Sequence, residues 1–226
     1  MIDLFRTQPA KGTYSTALRM MGLRALDPAS NRRLISRCAS YLVSCQSTDG
    51  MWEYGPAPAE EAQEFESGLV VIGGRPVAGL GAQLELVSES IPLQRDEVWR
   101  SCGGDFSCTQ YAALGLKAAE ESGINVPQQV WREMAGVVAE GQASDGGWNY
   151  GAGGSWGYGS MTVAGFATYL IACHYAGIEP EKDVVQRGYD WISKYFSVKE
   201  NPGASKWAYY YLYGLERAGM ISGLDL

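Results

Sequence analysis

The sequence predicts an all-α chain assembled from repeated helix pairs. Three observations carry that expectation. Segments rich in small and apolar residues alternate with more polar segments of helical length. A Gly-Leu or Gly-Phe dipeptide recurs in the first kind, at Gly22, Gly115, Gly165 and Gly214, with spacings of 93, 50 and 49 residues. A period near 50 is typical of helix-pair arrays, and 93 is almost two such periods. Prolines and glycines then fall where helices should begin and end. The 226 residues, 46% hydrophobic and 19% charged, are enough to bury one core.

In chain order, an inner helix is expected over 14–26 and an outer one over 31–46. Residues 53–104 break the pattern with Pro56, Pro58, Gly73, Gly74, Pro76 and Pro92, and form an insertion or a degraded repeat within a single domain spanning 1–226. Inside it, 69–72 reads as a short strand, 82–89 as a short helix, and the glutamates of 60–66 as a solvated face. The second pair covers 108–122 and 128–142, the third 160–176 and 181–196, and a last inner helix 206–218. Pro127 and Pro180 stand at helix starts. Gly123, Gly177 and Gly219 stand at helix ends, where a left-handed residue is needed. Glycine inside a helix costs about 1 kcal/mol relative to alanine, so its recurrence in the inner helices points to close helix–helix approach.

Charge and composition exclude several functions. Asp plus Glu number 25 against 18 for Lys plus Arg, a formal charge of −7, which leaves no basic surface for nucleic acid. Residues 149–178 carry no formal charge, yet their apolar run is too short and too interrupted for a membrane span of about 20 residues. A helix buried on nearly all sides explains it better. Met1-Ile2-Asp3-Leu4-Phe5-Arg6 has no apolar signal core, so a cytoplasmic location is expected. Five cysteines without a CxxC pair, beside one histidine, do not make a zinc site. They read as reduced thiols, although Cys102 and Cys108 could join. His174, within an apolar helix, reads as a core residue. No metal and no cofactor are expected.

A motif closes two of the outer helices. Gln46, Asp49, Gly50 and Trp52 repeat as Gln142, Asp145, Gly146 and Trp148, a Q-x-x-D-G-x-W pattern 96 residues apart. Asp-Gly makes a tight turn. The glutamine amide is expected to bond freed backbone groups at the helix end, and the tryptophan to form an apolar lid between adjacent pairs.

This motif resembles the QW repeat of squalene–hopene and oxidosqualene cyclases, and more widely the α/α toroids that include protein prenyltransferase β subunits. The runs Gly159-Ser160-Met161-Thr162-Val163-Ala164-Gly165 and Tyr209-Tyr210-Tyr211-Leu212-Tyr213-Gly214-Leu215-Glu216 also look like bacterial prenyltransferase/squalene-oxidase-repeat proteins. The resemblance covers roughly 13–52 and 105–219. It implies a ring of inner helices wrapped by outer ones around a cavity at one end. About four pairs are present where the family has about six, so a partial ring is expected, closed by self-association or by a missing chain. Inner-helix heads face the cavity in that family, which makes Tyr111, Trp148, Tyr150, Trp156, Tyr158, Met161, Trp207 and Tyr210 candidates to line a pocket.

The chemistry of the family is only partly retained. A cyclase carries its acid in Asp-x-Asp-Asp-Thr-Ala or Asp-Cys-Thr-Ala at the head of an inner helix. The nearest match is Asp105-Phe106-Ser107-Cys108-Thr109-Gln110, which keeps Asp105, Cys108 and Thr109 but puts Ser107 in the place of the catalytic aspartate. A serine hydroxyl cannot protonate an alkene, and Asp105 is placed to cap the helix. The zinc site of a prenyltransferase and any D-D-x-x-D motif are missing. The leading expectation is a terpenoid-cyclase-like domain that binds a hydrophobic isoprenoid, lipid or peptide. The alternatives are a non-enzymatic protein-interaction or assembly module, and a glycan-active helical barrel using paired carboxylates, for which only Asp105, Glu53 and the glutamates of 60–66 are placed.

Overall fold

The computed structural model describes residues 12–55, 89–95 and 103–223. The strand expected at 69–72, the glutamates of 60–66, Cys102 and nearly all of the helix expected at 82–89 lie outside these residues. The described chain is all-α, with seven helices: α1 Thr13–Leu26, α2 Pro28–Ser44, α3 Phe106–Glu120, α4 Gln128–Glu140, α5 Gly159–Ala176, α6 Lys182–Tyr195 and α7 Ala208–Ser222. A two-residue strand β1, Glu89–Ser90, pairs in parallel with β2, Ile124–Asn125. Strands this short leave no periodicity to read, and Glu89 is therefore strand where a helix end was expected.

Helix ends follow their capping chemistry. Asp27 accepts from Ser30 N at 3.1 Å ahead of Pro28, so α2 begins three residues before the expected 31. Asp105 accepts from Cys108 N at 2.7 Å and starts α3. Gly177 closes α5 in the left-handed conformation, with φ 64°. Helix α7 runs past Gly219, and Gly223 closes it instead.

Helices α1, α3, α5 and α7 form the inner set: α1 packs on α3, α3 on α5, and α5 on α7. Their heads gather at one end of the domain and their tails at the other. Helix α2 lies against α1 and α3, and α6 lies against α5. Helix α4 follows α3 in the chain but packs chiefly on α5, where Trp131 stacks on Tyr175 at 5.0 Å. Surrounded in this way, α5 buries residues all around its circumference, which explains its uniformly apolar sequence. No helix among the described residues is long and apolar enough to cross a membrane.

Close approach accounts for three of the four recurring inner glycines. A Cβ on Gly115 would stand 2.9 Å from Ala17 Cα, one on Gly214 2.6 Å from Val163 Cγ2, and one on Gly165 2.5 Å from Trp148 Cγ. These are distances that no relaxed side chain occupies.

The two motif copies are wired alike. Gln46 Nε2 donates to Gly50 O at 3.1 Å and to Val130 O at 3.0 Å; Gln142 Nε2 donates to Gly146 O at 2.9 Å and to Val184 O at 3.0 Å. Each amide thus ties its own turn to the first turn of the next outer helix. Trp52 Nε1 donates to Leu42 O at 2.7 Å and Trp148 Nε1 to Val138 O at 2.8 Å. It is therefore the tryptophan, not the glutamine, that reaches a carbonyl freed at the helix end. Gly50 and Gly146 adopt φ 86° and 90°, facing Glu133 O and Arg187 O.

Candidate functional site

At the head end the inner helices are sealed by phenols. Tyr14 of α1 stacks on Tyr54 at 5.3 Å and lies against Tyr111 of α3 at 4.2 Å; Tyr111 in turn faces Tyr210 and Tyr213 of α7 at 6.2 and 6.3 Å. A hydrogen-bonded chain runs through the same place. The Tyr14 hydroxyl meets Ser107 Oγ, Ser107 Oγ lies 3.3 Å from Tyr210 OH, and Tyr210 OH donates to Gln110 Oε1 at 2.6 Å. Burial pushes the Tyr14 and Tyr210 phenols above their ordinary value of 10, so both stay neutral. Ser107 thus occupies the expected acid position but joins two phenols, and no carboxylate takes part in the chain of bonds.

The other acid and nucleophile candidates are structural. Asp105 is buried and committed to its helix cap. The Cys108 thiol is fully buried; desolvation first, and Asp105 second, push it above its usual range, so it is not a thiolate. Cys38, Cys45, Cys108 and Cys173 are buried thiols. Of the carboxylates named for a glycan reading, Glu53 and Asp105 share a small surface cleft of about 370 Å³ with Tyr54 and Tyr150, and the glutamates of 60–66 lie outside the described residues.

The aromatic candidates scatter. Tyr111 and Tyr210 belong to the phenol seal. Tyr150, 44% exposed, lines the small cleft. Trp148 is fully buried behind Gly165 and Gly188, and Met161 is buried in the core. Tyr158 packs against the core from the side of Trp156, whose ring is 6.3 Å away. Trp156 and Trp207 are 59% and 72% exposed, and Trp207 precedes α7 with a left-handed φ of 68°.

The larger cavity opens at the opposite end, where the tails of all four inner helices diverge. It encloses about 970 Å³, at the upper end of the range for small-molecule sites. Its lining is mixed: Met21, Leu114, Leu170, Ile171, Met220 and Ile221 supply the apolar part, and charged side chains such as Lys117 and Glu121 the rest. None of the residues expected to line a pocket belongs to it. His174 does, exposed on the last turn of α5 and edge-on to Tyr175 at 4.8 Å, which corrects its reading as a core residue. The rest of that turn stays packed, with Cys173 and Ala176 buried and Tyr175 against Trp131 of α4, so His174 alone faces out.

A signal for this cleft was present in the sequence. Gly22-Leu23-Arg24, Gly115-Leu116-Lys117 and Gly214-Leu215-Glu216-Arg217 each place a base just after the inner glycine, and Arg24, Lys117 and Arg217 all line the cleft. Among the described residues no group of three or more His, Cys, Asp or Glu side chains could hold a metal ion. No family model, curated protein or solved structure matches the chain.

Proposed function

We propose that this chain is a partial α/α toroid of the terpenoid-cyclase-like kind that binds a hydrophobic molecule without acid-initiated catalysis. The observation that carries the reading is the cleft of about 970 Å³ walled by the tails of four inner helices. Support for the toroid comes from the repeated wiring of Gln46 and Gln142 into successive outer helices. The missing acid is consistent with binding alone, because Ser107 holds neutral phenols where a cyclase needs a carboxyl group. The ligand class is an isoprenoid, a lipid or an apolar peptide segment.

Native mass spectrometry of protein equilibrated with a lipid extract tests this. One apolar ligand per chain is expected, lost in Leu170→Glu, which puts a charge on the cleft wall. An empty chain would overturn the reading. A second reading, an assembly module, is favoured by the exposed apolar side chains Phe196 and Val198 after α6 and Trp207 and Tyr209 at the head of α7. Ligand-free dimers or larger assemblies in the same experiment would place that reading first.

A further inference from the structure

The small cleft at the head of α3 is built where three stretches of backbone meet. Asp105 N donates to Trp52 O at 2.9 Å and Phe106 N to Tyr150 O at 3.1 Å, which brings 53–55, 103–105 and 150–151 side by side. The Tyr150 and Tyr54 hydroxyls lie 3.4 Å apart at this junction. The volume of about 370 Å³ falls within the range of small-molecule sites. Glycines supply the rest of the lining, and a Cβ at Gly103 or Gly151 would meet only open space.

The charges of the lining are of one sign. Glu53 and Asp105 contribute two carboxylates, and no described Lys, Arg or His side chain lines the cleft. Asp105 keeps one oxygen on its helix cap, and among the described residues neither carboxylate joins an ion pair. The two converge on one place: desolvation first, then Asp105 and Glu53, push the Cys108 thiol up. The Tyr150 phenol is pushed up in the same way, by burial first and then by Tyr54 and Asp105 beside it. The Tyr54 and Tyr150 rings are exposed, Tyr54 giving one face to Tyr14.

Independently of the tail cleft, we propose that this head cleft binds a small organic ammonium ion, held by the Glu53 carboxylate and the rings of Tyr54 and Tyr150, with Asp105 adding to the field. An organic cation answers both features at once, because it neutralises unpaired carboxylates and is attracted to aromatic rings. A neutral sugar would use the rings and leave the charges unanswered. A bare metal ion would find two carboxylates, one of them already committed to a cap.

Titration calorimetry of the full chain with choline, its neutral carbon isostere, capped lysine and glucose tests the site. Choline is expected to bind about tenfold or more tightly than the isostere. Capped lysine separates the two sources of an ammonium group: binding above the isostere by either cation supports the site, and the tighter one names a free amine or a peptide side chain. Glu53→Gln should bring choline to within about threefold of the isostere while leaving the isostere unchanged, and about 0.5 M salt should do the same. Tyr150→Leu should weaken choline about threefold or more. Glu53 is half-buried and Tyr150 exposed, so both variants are expected to fold, with circular dichroism as the control. Equal binding of choline, capped lysine and the isostere, or variants without effect, would overturn the assignment, as would binding of none of the four. Tighter binding of glucose than of either cation would overturn it in favour of a glycan. None of these outcomes touches the reading of the tail cleft, which rests on its own experiment.

Discussion

Replacing Trp148 by phenylalanine isolates one hydrogen bond on which the repeat wiring depends. The indole is fully buried, and its Nε1 donates to Val138 O at 2.8 Å. Helix α4 ends two residues later, and its nearest free donor, Gln142 N, goes to Ala139 O instead. Phenylalanine keeps most of the ring but leaves the Val138 carbonyl buried and unpaired, at a cost of about 2 kcal/mol. At roughly 2–4 °C per kcal/mol for a chain of this size, the midpoint should fall by about 4–8 °C. The equivalent Trp52→Phe should cost only about 1 kcal/mol, because Leu42 O also accepts from Cys45 N at 3.2 Å. Alanine at position 148 adds a cavity and should cost about 5 kcal/mol in all. Urea unfolding followed by far-ultraviolet circular dichroism, with the slope held common, measures all three. Equal losses in the two phenylalanine variants would refute the argument from the second donor, and no loss in either would refute the tryptophan's role as a cap.

Two further predictions concern the same turn. Gly146→Ala forces a side chain into φ 90° with its Cβ 2.7 Å from Arg187 O, whereas Gly177→Ala meets only the left-handed backbone in open space. The first should cost about 3 kcal/mol or more and the second about 1 kcal/mol, by the same unfolding assay. Asp145 titrates below its usual 3.8: burial pushes its carboxyl up, but donation from Gly157 N, Gly147 N and Trp191 Nε1 outweighs that. A depressed carboxyl contributes stability above its unfolded value that is lost as pH falls through the folded one. Asp145→Asn should therefore be less stable than the native chain at neutral pH, with the difference closing as pH falls below 3.8. A difference that stays constant down to acid would show that the charge of Asp145 is not what the turn uses.

The fold was legible where one residue's chemistry decides a local outcome. The proline starts at 127 and 180, the Asp105 cap and the Gly177 end follow from backbone requirements that hold whatever surrounds them. The inner glycines were legible as points of close approach because their cost within a helix must be offset by packing. The partners in the motif were not legible. Whether Gln142 or Trp148 meets the freed carbonyl depends on how the turn orients each side chain, and a spacing does not encode that. The site was less legible still. Trp148 and Trp207 look equally apt to line a pocket, yet one is buried at the centre of the wiring and the other stands in solvent.

The placement of the cleft has a physical logic. The motif residues tie turns to the starts of outer helices, and the phenols of Tyr14, Tyr111 and Tyr210 bind the inner heads together. Between them the phenols hold the heads of α1, α3 and α7, and Trp148 N, donating to Thr162 Oγ1 at 3.1 Å, holds the head of α5. Helices clamped at their heads and capped separately at their tails need not close on one another there. A space can therefore persist at the tails without opening the seal. Arg24 and Lys117, which line that space, take no part in the motif wiring or in the phenol stack, whereas Arg217 reaches the stack by lying over the Tyr213 ring. Substitutions in the cleft can then alter the ligand at little cost to the fold, whereas a change at Trp148 or Gly146 removes the frame that keeps the cleft open.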